Sequence, residues 1–365
     1  MTLEEFLDEW NNDSERVLVH TSGSTGAPKP LWVEKRRMGA SARITCDFLG
    51  LKEGDTALLC MPLDYIAGKM MVVRSLVRKL KLMVVEPTGH PLSNTTPHQL
   101  PRGGEQAPEQ TSSPSGEVGR GVTFAAMVPM QVYNSLQVPE ERERLRQIRH
   151  LIIGGGAIDD ALARELKDFP NYVWSTYGMT ETLSHIALRR LNGAEASEWY
   201  TPFDNVRISQ SEDGCLVIDA PEVCAERLVT NDIVEISQGR FRVVGRKDNV
   251  ICSGGIKIQA EEVERALKPY LHVPFMITKR KDSKFGEIVV MMVEDRGERR
   301  EERGKWIEER GEKIEESLKT RLQRLCREHL PKYWQPRDFV FVEKIPMTET
   351  GKIARKECQC RIENG

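Results

Sequence analysis

The segment Thr21–Lys29 combines residue types that bind phosphate groups, and it follows the short apolar run Val17–Val19. Backbone N–H groups of glycines and hydroxyls of serine and threonine can surround phosphate oxygens, and a lysine adds positive charge. Two residues separate Gly26 from Lys29, so the segment differs from a Walker loop. An ordinary turn is the alternative, but the density of suitable residues favours a polyphosphate-binding loop. Its candidate ligands are Thr21, Ser22, Gly23, Ser24, Thr25, Gly26 and Lys29.

A second candidate segment, Tyr177–Thr182, comes directly after the predicted strand Tyr172–Thr176. Ligands of α/β proteins bind at the carboxyl ends of parallel strands. In this place Thr180 could donate a hydrogen bond to a phosphate, and Glu181 could hold the Mg²⁺ that accompanies a nucleoside triphosphate. The alternative for Thr180 is a helix cap.

Glycines also follow a neighbouring predicted strand, Leu151–Ile153. The missing side chains of Gly155 and Gly156 would let a flat base or a backbone approach closely. A tight turn is the simpler explanation for these glycines when they are considered alone.

A third group of candidates begins at Asp232, whose carboxylate can accept hydrogen bonds from both hydroxyls of a ribose. Arg246 could bind a ribose or a phosphate, and Asp248, which an asparagine follows, could serve as a hinge. Near the C-terminus, Lys352 follows a glycine within Pro346–Arg355. Considered alone, it would be an ordinary solvated lysine.

Together these groups resemble the motifs of the adenylate-forming enzymes, a superfamily of acyl-CoA synthetases, adenylation domains and luciferases. The motifs are matched, in order, by Thr21–Lys29, Tyr177–Thr182, Gly245–Ile258 and Pro346–Arg355. The resemblance implies a large N-terminal domain, a small mobile C-terminal domain and a reaction in two steps. A carboxylate and ATP first give an acyl-adenylate and pyrophosphate, and a thiol such as coenzyme A then takes the acyl group.

The resemblance also implies a role for each candidate. Ser24, Thr25 and Lys29 would bind the ATP phosphates, Thr180 the α-phosphate and Glu181 the Mg²⁺. Gly156 and Tyr177 would face the adenine, and Asp232 and Arg246 the ribose, while Gly155 and Gly178 are further candidates for binding the nucleotide. The small domain would turn at Asp248 and supply Lys352 to bridge the acyl carboxylate and the phosphate. The thiol of coenzyme A would approach along Ser253, Gly254, Gly255 and Lys257.

Two features depart from the superfamily pattern. The usual Thr-Gly-Asp is Thr230-Asn231-Asp232 here, which keeps the carboxylate but changes its turn. In addition, only 20 residues precede Thr21. We therefore expect the leading subdomain of most relatives to be missing or very short, and part of the acyl pocket with it.

The short chain, with Met61–Lys69 and Phe124–Pro129, looks most like the o-succinylbenzoate–CoA ligases of menaquinone biosynthesis. That acid has an aromatic ring and two carboxylates, so its pocket needs apolar walls and a polar or cationic group for the carboxylate that does not react. The candidates are Lys69, Arg74, Ser184 and His185, of which the first two could equally be surface residues of a helix. Two rival functions remain: an adenylation domain that loads a carrier protein, and a non-catalytic nucleotide-binding relative.

The composition is that of a water-soluble protein of 365 residues, with 39% hydrophobic and 30% charged residues. A net charge of −2 gives no general attraction to nucleic acid, and no apolar run is long enough to span a membrane. The acidic N-terminus does not resemble a signal peptide, which favours a cytoplasmic protein. The eight cysteines are predicted to be reduced thiols, and Cys358 and Cys360 lack a zinc-type spacing.

Short β-rich runs alternate with stretches long enough for helices, which predicts a layered α/β domain over residues 1–247. Residues 248–365 are predicted to form a small α+β domain. The predicted strands and helices include Ala57–Met61, Leu82–Glu86, Val122–Val128, Leu151–Ile153, Asp160–Phe169, Cys215–Asp219, Ala260–Leu267, Glu287–Val293 and Phe339–Val342. A hairpin is predicted between Ile233–Ile236 and Phe241–Val244.

Two segments are predicted to be insertions. Thr88–Gly121 is rich in proline and glycine and has few large apolar residues, which predicts a flexible loop with little part in packing. Glu294–Lys313 alternates acidic and basic residues at helical spacing. This pattern favours a solvated helix face over a partner-binding surface.

Overall fold

The computed structural model describes residues 1–20, 30–93, 98–99, 121–156, 158, 160–295, 318–347 and 353–364. Contacts between Cα atoms divide the chain into two compact units. The first unit contains residues 1–209, 217–229 and 236–242, and the second contains residues 210–216, 230–235 and 243–365.

The first unit begins with helix α1 (Leu3–Asn11), which Thr2 and Glu5 cap through reciprocal hydrogen bonds. Strands β1 (Arg16–His20) and β2 (Pro30–Glu34) then pair antiparallel, with His20 opposite Pro30. The predicted phosphate loop Thr21–Lys29 lies outside the described residues, and the paired residues His20 and Pro30 flank it.

An eight-stranded sheet forms the body of the first unit, in the order β10-β9-β8-β7-β6-β3-β4-β5. Its strands are β3 (Thr56–Leu59), β4 (Lys81–Val84), β5 (His98–Gln99), β6 (Phe124–Met127), β7 (His150–Ile153), β8 (Tyr172–Gly178), β9 (His185–Arg190) and β10 (Thr201–Pro202). The five strands from β8 to β4 run parallel, and β9, β10 and β5 extend the sheet antiparallel.

Helices accompany this sheet, as the sequence predicts for layered α/β structure. They are α2 (Lys35–Phe48), α3 (Ile66–Arg78), α4 (Pro129–Leu136), α5 (Pro139–Gln147) and α6 (Asp160–Leu166). Strands β6 and β7 are buried along their whole length, as expected for parallel strands in the middle of a sheet. The predicted α/β fold class is confirmed.

A four-stranded sheet follows, in the order β11-β12-β13-β14. Its strands are β11 (Arg207–Gln210), β12 (Cys215–Asp219), β13 (Leu228–Ser237) and β14 (Arg240–Arg246). Gln238 and Gly239 connect β13 to β14, and both have positive φ angles, 50° and 73°. This is the backbone of a tight hairpin turn, so the hairpin predicted here is confirmed.

The C-terminal part of the second unit is α+β, as predicted. Its sheet has the order β16-β15-β18-β17, and β19 pairs parallel with β18. The strands are β15 (Val250–Ser253), β16 (Ile256–Gln259), β17 (Phe275–Asp282), β18 (Gly286–Glu294) and β19 (Asp338–Val342), and the helices are α7 (Ala260–Leu267), α8 (Leu318–His329) and α9 (Arg355–Asn364). Two apolar clusters form its core, one around Met291 and one around Met292.

The first residues of Thr88–Gly121 correct the prediction that this segment contributes little to packing. Leu92 is fully buried in the core of the first unit, and its carbonyl accepts a hydrogen bond from Arg144. Thr88 accepts a hydrogen bond from Gln131 through its carbonyl at 3.0 Å. Leu92, together with the pairing of His98–Gln99 with β4, therefore packs the described residues of this segment against the first unit, although its average composition suggested little packing. Most of the segment, and nearly all of Glu294–Lys313, lies outside the described residues.

All eight cysteines are free thiols, which confirms that prediction. In the part of the chain that the structure describes, no helix is both long enough and apolar enough to cross a membrane.

Candidate active site

Strands β7 and β8 bring two of the predicted segments to one edge of the large sheet. Their parallel register places Ile153 opposite Ser175, so the glycines after β7 lie beside the residues that end β8. A side chain at Gly154 would place its Cβ 2.4 Å from Thr176 Oγ1, so only glycine fits there. Gly178 has a similar role, since a Cβ there would lie 2.3 Å from the Ser184 carbonyl oxygen.

Tyr177, the candidate for the adenine face, belongs to a cluster of three aromatic rings. Its ring centroid lies 4.9 Å from that of Phe241, edge to face, and 5.8 Å from that of Tyr200. The hydroxyl of Tyr200 in turn lies 2.8 Å from Ser175 Oγ. These contacts fix the orientation of the Tyr177 ring, and Phe241 and Tyr200 are supporting residues that the sequence alone did not identify.

Thr180 and Glu181 lie in a single helical turn, Thr180–Thr182, directly after β8. Thr182 closes this turn, because its Oγ1 accepts a hydrogen bond from the Met179 N–H and donates to the Ser184 carbonyl at 2.8 Å. Thr180 is buried inside the turn rather than capping it, and Glu181 is exposed.

The side chains at this turn are compatible with a Mg²⁺ ion that binds together with a nucleotide. Among the described residues no group of three or more potential metal ligands occurs, so no all-protein cage is present there. Mg²⁺ in nucleotide sites is usually held by one or two carboxylates together with phosphate oxygens and water. An exposed carboxylate such as that of Glu181 meets this requirement.

Arg74 forms the centre of a buried polar cluster next to this turn. Its side chain is only 2% exposed, and Nη2 donates a hydrogen bond of 2.6 Å to Ser184 Oγ. Ser184 Oγ lies 3.2 Å from His185 Nδ1, and His185 Nε2 lies 3.1 Å from Thr45 Oγ1. The cluster therefore brings together three of the predicted substrate residues, and adds Thr45, which no sequence motif marks.

The electrostatics of this cluster are unusual because its one cation has no carboxylate partner among the described residues. Arg74 Nε is buried and has no hydrogen-bond partner there, and the guanidinium lies 6.0 Å from the centre of the Phe124 ring. Burial lowers the pKa of Arg74 to about 10, which still leaves it charged at neutral pH. Burial, and then the charge of Arg74, hold the pKa of His185 well below its usual range, so the imidazole is neutral.

Lys69 is buried as well, but it has a different set of contacts. Its Nζ donates hydrogen bonds to Glu9 Oε2 at 3.2 Å and to the Leu18 carbonyl at 2.8 Å. It thus joins α3 to α1 and to β1, the strand that precedes the predicted phosphate loop. The alternative that Lys69 and Arg74 are surface residues of a helix is wrong, since both are 2% exposed.

In the second unit, Asp232 and Arg246 form an ion pair with 3.3 Å between Oδ1 and Nη1. Arg246 Nη2 also lies 3.5 Å from Asp248 Oδ2, so the predicted ribose ligands and the predicted hinge residue are in contact. The Thr230 hydroxyl accepts a hydrogen bond of 3.1 Å from the Asp232 N–H. Thr230, Asn231 and Asp232 lie within β13, so this segment is extended strand and not the turn that the sequence led us to expect.

The segment predicted to guide the thiol is a tight β-hairpin between β15 and β16. Gly254 and Gly255 form its two-residue turn, with φ angles of 59° and 82° that strongly favour glycine, and Ser253 pairs with Ile256. Lys257 is exposed on the second strand.

Two predicted groups lie outside the described residues. They are the phosphate-loop ligands Thr21, Ser22, Gly23, Ser24, Thr25, Gly26 and Lys29, and Lys352 with its neighbours. For the second group the flanking residues Met347 and Ile353 form an antiparallel bridge.

Comparison with known proteins agrees with this architecture. Residues 5–217 match the family model for AMP-binding enzymes, and residues 280–352 match the model for the C-terminal domain of AMP-binding enzymes. The first match covers more than half of the chain. The chain belongs to the AMP-binding enzyme family, and the predicted class of AMP-forming acyl-CoA synthetases is confirmed.

Three similar proteins illustrate the relationship. A solved acyl-CoA synthetase (AMP-forming)/AMP-acid ligase II-like protein from Dyadobacter fermentans is 31% identical, with 98% of this chain and 93% of that chain covered and a TM-score of 0.60. A 2-succinylbenzoate–CoA ligase of Bacillus cereus is 24% identical over 98% of this chain and 72% of its own length. An o-succinylbenzoate coenzyme A synthetase from Bacillus subtilis, solved with ATP and magnesium ion, is 22% identical, with 94% and 69% covered and a TM-score of 0.67.

Proposed function

We propose that this protein is an ATP-dependent acid–CoA ligase that acts on o-succinylbenzoate in menaquinone biosynthesis. The observation that carries the choice of acid is the buried guanidinium of Arg74, which has no carboxylate partner among the described residues. A buried charge is costly unless it is paired. In a dicarboxylic acid, the carboxylate that does not react would be the partner of Arg74.

The first step of the proposed reaction joins the acid to AMP. An oxygen of the reacting carboxylate attacks the α-phosphorus of ATP, and the bond to the β-phosphate breaks to release pyrophosphate. Thr180 would donate a hydrogen bond to the α-phosphate, and Lys352 would offset the repulsion between the two anions. Glu181 would hold Mg²⁺, which neutralises part of the charge on the phosphates.

The second step transfers the acyl group to coenzyme A. The thiol loses its proton and its sulfur attacks the acyl carbon, and the bond from that carbon to the AMP oxygen breaks. The proposed roles for this step are a turn of residues 248–365 about Asp248 and an approach of the thiol along the Gly254–Gly255 hairpin. The nucleotide would meanwhile be held through Tyr177 at the adenine and through Asp232 and Arg246 at the ribose.

Arg74 is the preferred ligand for the second carboxylate, for two reasons. Lys69 already donates to Glu9 and Leu18, whereas Arg74 retains a buried N–H group without a partner among the described residues. Ser184, which bonds Arg74, is only half-buried, so the cluster reaches the surface of the first unit at this residue.

A pyrophosphate-exchange assay with a panel of acids tests the proposal. We expect exchange with o-succinylbenzoate, and weak exchange with benzoylpropionate, which lacks the ring carboxylate, and with benzoate. Addition of coenzyme A should then yield the thioester and AMP. Full activity with benzoate and none with o-succinylbenzoate would refute the choice of acid.

The same assay separates the competing functions. If AMP and an acylated product form with a carrier protein but not with coenzyme A, the chain is a carrier-loading adenylation enzyme. If no acid supports exchange although ATP binds, it is a non-catalytic nucleotide-binding protein.

A further inference from the structure

The hydroxyl proton of Thr45 determines the direction of every hydrogen bond in the Arg74 cluster. Thr45 is completely buried in α2, and its Oγ1 donates to the Ser41 carbonyl at 3.1 Å. A threonine hydroxyl has a single proton. Because that proton is used, Thr45 Oγ1 can only accept from His185 Nε2, which lies 3.1 Å away.

This arrangement fixes the tautomer of His185. The imidazole is neutral, as described above, so a proton on Nε2 leaves Nδ1 without one. Nδ1 must then accept, and the group that faces it at 3.2 Å is Ser184 Oγ. The Ser184 hydroxyl therefore donates to His185 and presents its lone pairs to Arg74 Nη2 at 2.6 Å.

The result is a chain of hydrogen bonds with one direction, from Arg74 through Ser184, His185 and Thr45 to the Ser41 carbonyl. In this series of hydrogen bonds the Ser184 hydroxyl already donates to His185, so it cannot donate to a bound anion. The neutral imidazole provides no negative charge that would compensate the guanidinium. Among the side chains of this cluster, Arg74 is therefore the one that can bind an anion.

We propose that Thr45 and His185 are positioning residues that determine specificity for a dicarboxylic acid. They hold Ser184 in the orientation that fixes the Arg74 guanidinium, and they keep its charge available for the carboxylate that does not react. The inference rests on the proposed function. It assigns a role in substrate recognition to two residues that do not contact the ligand and that act on it through Ser184 and Arg74.

Thr45→Val tests this, because valine keeps the shape of threonine and removes the acceptor for His185. We expect the KM for o-succinylbenzoate to rise about tenfold, the size expected for loss of one oriented hydrogen bond, with kcat changed less than about twofold. The KM for ATP and the activity with benzoylpropionate should stay unchanged. Thr45→Ser, which restores the hydroxyl, should keep the parent's KM.

Thr56→Val is the matched control, since Thr56 is half-buried in β3 of the same unit and lies outside the cluster. It should leave the KM for every acid unchanged. Equal losses with o-succinylbenzoate and benzoylpropionate in Thr45→Val would show a merely structural role and overturn the proposal. An unchanged KM in Thr45→Val would also overturn it.

A spectroscopic measurement tests the same series of hydrogen bonds in the absence of substrate. Nitrogen NMR of histidine-labelled protein should show His185 protonated at Nε2 in the parent and in Thr45→Ser, and a changed tautomer or exchange between tautomers in Thr45→Val. A parent protonated at Nδ1 would overturn the proposal. If instead the parent has the expected tautomer but prefers a monocarboxylic acid, the proposed function fails.

Discussion

At the scale of single residues, Arg74 is the most informative side chain of the first unit. A guanidinium carries five N–H donors in a plane, and a carboxylate can bind two of them at once. Here one donor goes to Ser184, one points to the Met71 sulfur at 3.8 Å, and Nε has no partner among the described residues. Such a group binds a planar anion better than a lysine ammonium would.

We therefore predict that Arg74→Met raises the KM for o-succinylbenzoate by roughly ten- to a hundredfold. This corresponds to about 1.5–3 kcal/mol for a lost charge-assisted hydrogen bond. Arg74→Lys should recover only part of the loss, because lysine keeps the charge without the planar donors. Steady-state kinetics with o-succinylbenzoate and benzoylpropionate measure the effect.

The control is Arg78→Met, on the same helix, where the arginine pairs with Asp47 instead. It should not change the preference between the two acids. An Arg74→Met protein that folds, as judged by circular dichroism, and still prefers o-succinylbenzoate would exclude Arg74 as the carboxylate ligand.

At the scale of elements, the amino ends of β7 and β8 carry a stacked pair of rings, at the opposite end of these strands from Gly154 and Gly178. His150 and Tyr172 face each other across the strands with ring centroids 5.0 Å apart. Both ring nitrogens of His150 are buried without a partner among the described residues. Burial, reinforced by Arg149 and Arg190 and opposed by Asp55, lowers the pKa of His150 to about 4.

This makes the free energy of unfolding depend on pH. Between pH 6.5, the ordinary pKa of histidine, and about pH 4, the unfolded chain binds a proton at His150 more readily than the folded protein. The contribution of His150 to stability is therefore complete above pH 6.5 and is lost as the pH approaches 4, by at most about 3 kcal/mol and by less once solvent screening is counted. Urea denaturation at several pH values should show a flatter profile for His150→Phe, whereas replacement of the exposed His272 by Gln should retain the parent's slope.

The anchor at Leu92 gives a prediction for the segment that follows β4. Because this side chain is fully buried in the core, Leu92→Ala should lower the free energy of unfolding by about 2–5 kcal/mol. Leu76→Ala, in α3 where the leucine is 41% exposed, should cost much less. Equal small losses in both would mean that residue 92 does not belong to the core.

The sequence predicted elements more readily than contacts across them. Buried strands such as β6 and the helix α7 were predicted because an apolar run or a helical period is a local property. Thr45 and His185 are 140 residues apart, and their hydrogen bond depends on how α2 packs beside β9. Nothing in the sequence near Thr45 indicates that this helical threonine would bond a histidine from a distant strand. The Glu9–Lys69 ion pair is likewise a contact between distant segments, and the sequence does not predict it.

At the scale of the whole molecule, the proposed alternation of the small domain separates the two half-reactions. Lys352 should matter only while two anions, the acyl carboxylate and the α-phosphate, have to be held together. Lys352→Ala should depress adenylate formation by orders of magnitude and leave the reaction of supplied acyl-adenylate with coenzyme A nearly intact. The two half-reactions are to be measured separately on the same folded preparation.

Lys344→Ala serves as the control, since Lys344 is an exposed lysine of the same C-terminal region. It should change neither half-reaction. Equal losses in both half-reactions of Lys352→Ala would contradict the alternation, and unchanged adenylation would remove Lys352 from the site.

The pairing of β1 with β2 has a consequence for the proposed binding of ATP at Thr21–Lys29. His20 and Pro30, the residues that flank this segment, are neighbours across two antiparallel strands, so folding already brings them together. If ATP binds there as proposed, the entropy lost on closing the loop belongs to folding and not to the binding step. A larger share of the interaction energy would then contribute to the affinity for ATP.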